Sequence, residues 1–163
     1  MDPFLQFLNP LSAILPPIVK FKKVHPDAVI PEYKTAGAAG MDLTLVHDEN
    51  ERFITLHTHV PMKVSTGLLV EIPEGYEGQV RPRSGLALKK GIAVLNSPGT
   101  IDSDYRGPLD VILINNSRYV EYLDRGERIA QLVIAPVARA VVQEVAELSS
   151  TDRGDKGFGS TGK

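Results

Sequence analysis

Gly67-Leu68-Leu69-Val70-Glu71-Ile72-Pro73-Glu74-Gly75 is the stretch that decides the fold class. Residues 67–72 form an apolar run too short for an ordinary helix, and Ile72-Pro73-Glu74-Gly75 closes it with the Pro and Gly of a chain reversal. The same grammar continues on both sides. Residues 18–21, 41–46, 111–114 and 129–137 are further short apolar runs, and turn-forming letters stand at 96–99 (NSPG), 115–117 (NNS) and 124–127 (DRGE). Helical periodicity is confined to one short stretch, residues 86–90, which follows Ser84-Gly85 and stops at Gly91. These signals predict an all-β sandwich or barrel with one short helix.

A chain of 163 residues, 42% of them hydrophobic, can bury one ordinary core, so a single β domain is expected over residues 18–148. No cysteine is present, which excludes disulfides, thiolate metal sites and cysteine nucleophiles. The formal net charge of -2 argues against a nucleic-acid-binding protein, which needs a concentrated basic face to displace counterions. A single nucleotide needs only a few well-placed cations.

Residues 1–17 read as an apolar, Pro-rich extension. Pro3, Pro10, Pro16 and Pro17 interrupt any long helix, and Asp2 stands where a signal peptide carries positive charge. Neither secretion nor a membrane span is expected, and the default location is cytoplasmic. At the other end, residues 149–163 are dominated by Gly, Ser, Thr, Asp and Lys, with Phe158 the one large apolar side chain. Such an arm buries too little to order itself and is expected to be flexible until something orders it.

Three segments carry letters suited to phosphate and base chemistry. In Arg81-Pro82-Arg83-Ser84-Gly85-Leu86, a strand ends in arginine and hands over to the start of a short helix. Backbone N–H groups, a partial positive dipole and a guanidinium then converge on a point that suits phosphate. A capped helix start with Ser84 as N-cap explains the same letters. Asn96 through Gly107 places Thr100 and Ile101 between turn residues, so a β-hairpin would project backbone donors and acceptors able to read a flat pyrimidine. Asx turns alone account for a hairpin, but not for Asp102 and Asp104 beside Tyr105 in a chain that is only 6% aromatic. Carboxylates with an ordinary pKa of about 4 are ionised at pH 7 and can hold and polarise a water, though as weak bases. Most of the rate must then come from alignment and from cations on the phosphoryl oxygens. The arm, Arg153 to Gly162, offers an arginine, hydroxyls and unhindered N–H groups around Phe158, a fit for phosphate plus a stacked base.

Weaker signals stand beside these. Gln131, on a strand after Arg125-Gly126-Glu127-Arg128, reads either as a phosphate or water ligand or as a polar position on an alternating strand. Residues 157–163 begin like a Walker A loop, but no Ser or Thr follows Lys163. His57 and His59 share one face of a possible strand and are read as a solvated pair, since no third ligand stands nearby.

Taken in order, Ala39-Gly40-Met41-Asp42-Leu43, Pro82-Arg83-Ser84-Gly85-Leu86, Asn96 through Gly107, Gly126-Glu127-Arg128-Ile129-Ala130-Gln131 and Arg153 through Gly162 resemble the motif set of the trimeric dUTPase family. The resemblance implies a jelly-roll subunit and a homotrimer with shared active sites, closed by the arm of a neighbouring chain. It also implies hydrolysis of dUTP to dUMP and pyrophosphate, limiting uracil in DNA and supplying dUMP for dTMP synthesis. Carried over position by position, it makes Asp102 the base that activates water for attack on the α-phosphorus and puts Tyr105 under the deoxyribose. Asn96, the backbone of Gly99, Thr100 and Ile101 and that of Asp110 would read uracil. Arg83, Ser84, Gly85 and Gln131 would hold phosphates and water, and Arg153, Phe158, Gly159, Ser160 and Thr161 would close the site. The cofactor implied is Mg2+, carried by the triphosphate and waters without a direct protein ligand, with Asp42 supporting it indirectly through water. Pro108 departs from the family pattern, which more often has an acidic or polar residue there. Two rivals share the scaffold: a dCTP deaminase, disfavoured by the residue 102–105 segment and the arm, and a nonenzymatic binding protein.

Overall fold

The computed structural model describes residues 16–47 and 51–157. Ten strands and one helix follow in the order β1 (Lys20–Lys23), β2 (Met41–Thr44), β3 (Phe53–Leu56), β4 (Met62–Glu71), β5 (Tyr76–Arg81), α1 (Ser84–Lys90), β6 (Ile92–Val94), β7 (Gly99–Ile101), β8 (Pro108–Asn115), β9 (Glu121–Asp124) and β10 (Arg128–Pro136). Four of the five runs read as strands lie wholly or largely in one, while the run at residues 18–21 only half overlaps β1, which starts at Lys20. Two four-stranded antiparallel sheets, β1-β4-β8-β6 and β2-β10-β5-β7, are accompanied by the β3-β9 pair. The fold is therefore the all-β, jelly-roll-like sandwich expected.

Alternation along β8 shows how the sequence makes the core. Leu109, Val111 and Leu113 are fully buried, while Asp110, Ile112 and Ile114 on the opposite face are only partly covered. Facing them from the second sheet stand Leu43, Ile129 and Leu132, each essentially without solvent contact. Burying one such side chain stabilises the fold by about 1.5–3 kcal/mol. Asn115 ends β8 as the one fully buried side-chain amide among the described residues, donating from Nδ2 to Leu56 O at 2.9 Å and Tyr119 O at 2.7 Å. Its Oδ1 accepts from Ser117 N at 2.8 Å, so the sheet end and the turn after it are fixed together.

Helix α1 starts two residues before the periodic stretch that announced it. Arg83 is its N-cap and no side chain caps it, so the alternative of Ser84 as N-cap is corrected: Ser84 is already helical. Its end is as read, with Lys89 and Lys90 in the last turn and Gly91 in the left-handed conformation at φ 63. Lys90 Nζ then ties α1 to the β9-β10 turn, donating to Tyr122 O at 2.9 Å and meeting Glu127 Oε1 at 3.2 Å.

The histidine pair does not share a strand face. Strand β3 ends at Leu56, and His59 follows in a turn with φ 60, so the two rings leave the backbone without the two-residue alternation of a strand. Among the described residues no helix is long and apolar enough to cross a membrane, and no three His, Cys, Asp or Glu gather as a metal site.

Candidate functional site

Strand β5 organises the candidate residues, and it separates them into two groups. At its C-terminal end Arg81 pairs with Gln131 of β10, and Gln131 pairs in turn with Asp42 of β2. These cross-strand partners share the outer face of the second sheet. Arg83, just past the strand, reaches back so that its Nε lies 3.0 Å from Asp42 Oδ1, while its NH1 donates to Arg128 O at 2.9 Å. Arg128 NH1 donates to the other oxygen, Asp42 Oδ2, at 2.8 Å. Asp42 thus carries a guanidinium on each carboxylate oxygen, with only 17% of its side chain exposed.

Gln131 is held from the other side. Its Nε2 donates to Pro82 O at 3.0 Å, and a Cβ on residue 40 would stand 2.7 Å from its Oε1, so only glycine leaves room at Gly40 for this amide. Ser84 and Gly85 are exposed at the start of α1, and nothing in the chain lies within 4 Å of where a Gly85 Cβ would be. The whole group presents Arg, Gln, a hydroxyl and helix-start N–H groups to solvent, an anion-binding set.

The second group lies along β7. The segment expected as a hairpin over residues 96–107 is not one: β7 pairs with β5, Gly78 opposite Ile101 and Val80 opposite Gly99, while the chain continues into β8 of the other sheet. This corrects the source of the backbone donors and acceptors, which belong to a sheet edge, since β7 is the last strand of its sheet. Asn96 folds over that edge, its Nδ2 3.2 Å from where a Gly99 Cβ would stand. Thr100 is exposed and Ile101 half-buried. Tyr105, 40% exposed, donates its hydroxyl to Pro108 O at 3.0 Å and lies directly on Gly107, where a Cβ would come within 2.4 Å of Oη. Pro108 therefore anchors the ring through its carbonyl and is the first residue of β8.

Asp102 is exposed and lines a groove of about 460 Å³ with Glu74, Glu77, Ser103, Asp104 and Arg139. Asp110, on the outer face of β8, meets Lys63 Nζ at 3.1 Å through Oδ2, whereas its Oδ1 is buried without a partner. A larger cavity of about 680 Å³, bordered by His25, His47, His57 and Met62, contains none of the candidate residues. Volume is a poorer guide here than chemistry.

The distance between the two groups is the main geometric fact. Asp102 follows Ile101, which sits opposite Gly78, whereas Gln131 sits opposite Arg81. At 3.3 Å per residue, about 13 Å of β5 lies between Glu77 and Arg81. Within one chain, Asp102 and the Arg83 group therefore stand toward opposite ends of β5.

Of the arm, Arg153 is described. Its Nε donates to Lys156 O at 2.9 Å in a turn through Gly154. Phe158, Gly159, Ser160 and Thr161 lie outside the described residues. Arg128 and Gly107 appear within the quoted motifs, but nothing in the sequence singled them out. A Gly can be a turn residue anywhere, and Arg128 stands an odd number of positions from Gln131, which on a regular strand means the opposite face.

A family model described as dUTPase matches residues 26–162. A deoxyuridine 5'-triphosphate nucleotidohydrolase of Hydrogenobaculum sp. is 56% identical over 141 residues, covering 86% of this chain and 95% of the other. One from Anaeromyxobacter sp. is 50% identical over 152 residues, covering 91% of this chain and 100% of its own. Among solved structures, the dUTPase of Staphylococcus bacteriophage 80alpha with dUpNHpp is 28% identical with a TM-score of 0.75, over 90% of this chain and 99% of that one. The dUTPase of phage phi11 of S. aureus, in which a structural Mg(II) ion is coordinated, shares the fold at 24% identity and a TM-score of 0.68, over 80% of this chain and 97% of that one.

Proposed function

Because this chain belongs to the dUTPase family, we propose that Asp102 activates the water that splits dUTP, in a site each copy completes with residues of another. The enzyme is a dUTP diphosphatase. The observation that carries this reading is the separation along β5, with the water-activating candidate at one end and the phosphate-binding candidates at the other. A second copy that brings its β7 edge and Asp102 against the Arg83 group would close that gap. Closed homo-oligomers repeat such a contact by symmetry, and three copies arranged head to tail give three equivalent sites.

Further support comes from the segment after β10. Val141, Val142 and Leu148 are 96%, 94% and 89% exposed, and no strand occurs among described residues beyond Pro136. Apolar side chains this bare within one chain fit a segment that lies on a neighbouring copy.

In the assembled site Asn96, the edge of β7 and the backbone at Asp110 read uracil, and Tyr105, pinned between Gly107 and Pro108, fills the place of a ribose 2'-hydroxyl. Arg83, Ser84, Gly85 and Gln131 take the phosphates. The Asp102 carboxylate accepts a proton from a water whose oxygen bonds to the α-phosphorus. The bond from that phosphorus to its bridging oxygen breaks, and the electron pair leaves on pyrophosphate. Arg153 and the residues around Phe158 cover the base and γ-phosphate, excluding bulk water.

Magnesium fits this arrangement through the substrate. The ion prefers six oxygen ligands and keeps several waters, and triphosphate oxygens supply the rest. Asp42, whose two oxygens already carry Arg83 and Arg128, is left an indirect role. When bound, magnesium neutralises charge on the phosphate oxygens.

The test is release of pyrophosphate and nucleoside monophosphate from dUTP, dCTP, dTTP and UTP with magnesium. Fast turnover of dUTP alone is expected. Ammonia from dCTP would make the protein a deaminase, and a folded protein without turnover would make it a binding protein on the same scaffold.

A further inference from the structure

We infer that Arg128 is a positioning residue of the phosphate group, re-aimed by a β-bulge so that it holds Asp42 and, through Asp42, the guanidinium of Arg83. The inference rests on the phosphate role proposed for Arg83. The first support is the pairing register. Arg128 pairs with Thr44 and Ala130 with Leu43, so β10 has one residue more than β2 between these pairs. Ile129 and Ala130 are both buried at this point, at 1% and 0% exposure, which breaks the in-and-out alternation. Without the extra residue, Arg128 and Gln131, three positions apart, would face opposite sides of the sheet. The bulge cancels the odd step and turns Arg128 to the side of Gln131 and Asp42.

Contact geometry supplies the second support. Arg128 NH1 makes an aligned 2.8 Å hydrogen bond to Asp42 Oδ2. Arg83 Nε lies 3.0 Å from Oδ1 as an ion contact that is not an aligned hydrogen bond. Arg128 thus holds one Asp42 oxygen while Arg83 meets the other. Arg83 also donates NH1 to the Arg128 carbonyl, so one residue constrains it through backbone and side chain together. With Nε and one NH1 hydrogen engaged, the rest of the Arg83 fork makes no hydrogen bond or ion pair among the described residues and can meet a phosphate.

Had the bulge served packing alone, a neutral side chain at 128 would do as well. The Arg128 side chain keeps about half of its surface, 49%, in solvent. Its value on this reading is directional.

The test uses the full-length protein and two readouts. Inorganic pyrophosphate is titrated calorimetrically into unaltered protein, Arg128→Gln, Arg83→Ala and the double variant. Loss of one charge-assisted hydrogen bond predicts binding weaker by about tenfold in Arg128→Gln. In the Arg83→Ala background, adding Arg128→Gln should cost little more, because the group it positions is gone. Arg128→Lys should recover part of the loss. Thermal melting checks folding, and Asp42→Asn, which removes the same link from the other side, should match the Arg128→Gln effect. Unchanged pyrophosphate affinity in Arg128→Gln, fully multiplying losses in the double variant, or no pyrophosphate binding by unaltered protein would each overturn the inference. Turnover of dUTP by unaltered protein, measured alongside, fails separately if the activity itself is misread.

Discussion

Gly107→Ala adds one methyl group at a place where the structure allows its consequences to be followed. The new Cβ would stand 2.4 Å from Tyr105 Oη and 2.6 Å from Cζ. Ordinary contact begins near 3.5 Å, so the ring must withdraw by about 1 Å. That movement stretches the 3.0 Å hydrogen bond to Pro108 O beyond useful length. A net hydrogen bond is worth about 0.5–1.5 kcal/mol. The ring is 40% exposed and can swing into solvent, so the stability cost should stay near 1 kcal/mol, at the low end for overpacking. Specificity should suffer more. If the ring excludes a 2'-hydroxyl by occupying its place, a displacement that relieves about 1.4 kcal/mol of clash lowers the preference for dUTP over UTP about tenfold. The assay is kcat/KM for both nucleotides, with a urea melt to read stability. We expect the ratio to fall mainly because UTP is used better. An unchanged ratio in a folded variant would refute the steric role of Tyr105.

Asp102→Asn should nearly abolish turnover while dUTP still binds; retention of most activity would remove Asp102 as the water activator. Mixing Asp102→Asn with Arg83→Ala protein, unfolded and refolded together, should restore turnover absent from either alone, because some mixed sites then pair two intact halves. No recovery would place both residues in one chain's site. Lys20 donates to Glu71 at 2.6 Å across β1 and β4, and that hydrogen bond holds the Glu71 carboxyl below its ordinary value. A lowered carboxylate pKa stabilises the fold above the usual carboxylate range and is lost as pH falls through it. Urea midpoints of Lys20→Met and the unaltered protein should therefore differ slightly at neutral pH and converge as pH falls through the lowered pKa of the Glu71 carboxyl. A gap equally wide in acid would contradict that linkage.

Much of the fold was readable because its strongest signals are local. The run at residues 67–72, its Ile-Pro-Glu-Gly ending and the alternation of β8 depend only on neighbours along the chain. Strands β3 and β9 were harder: Glu121-Tyr122-Leu123-Asp124 is polar, and its strand character comes from pairing with Phe53–Leu56 and from the Phe53–Tyr122 edge contact, with ring centres 5.0 Å apart. The helical periodicity begins two residues after α1 does, because Ser84 and Gly85 are weak helix formers that α1 nevertheless includes. At the site, residue types were legible but their grouping was not. The partner of β7 is a strand some twenty residues earlier, and the face occupied by Arg128 depends on a bulge that no alternation rule anticipates.

The brevity of β7 has a consequence of its own. Three residues at the end of a sheet span about 7 Å of strand, close to the width of a pyrimidine. A longer bare edge would be a template on which another chain could build, the opening step of aggregation. At this length the open backbone can serve a small planar ligand while offering too few hydrogen bonds to recruit a foreign strand. Extending β7 by two or three β-branched residues would exchange one property for the other.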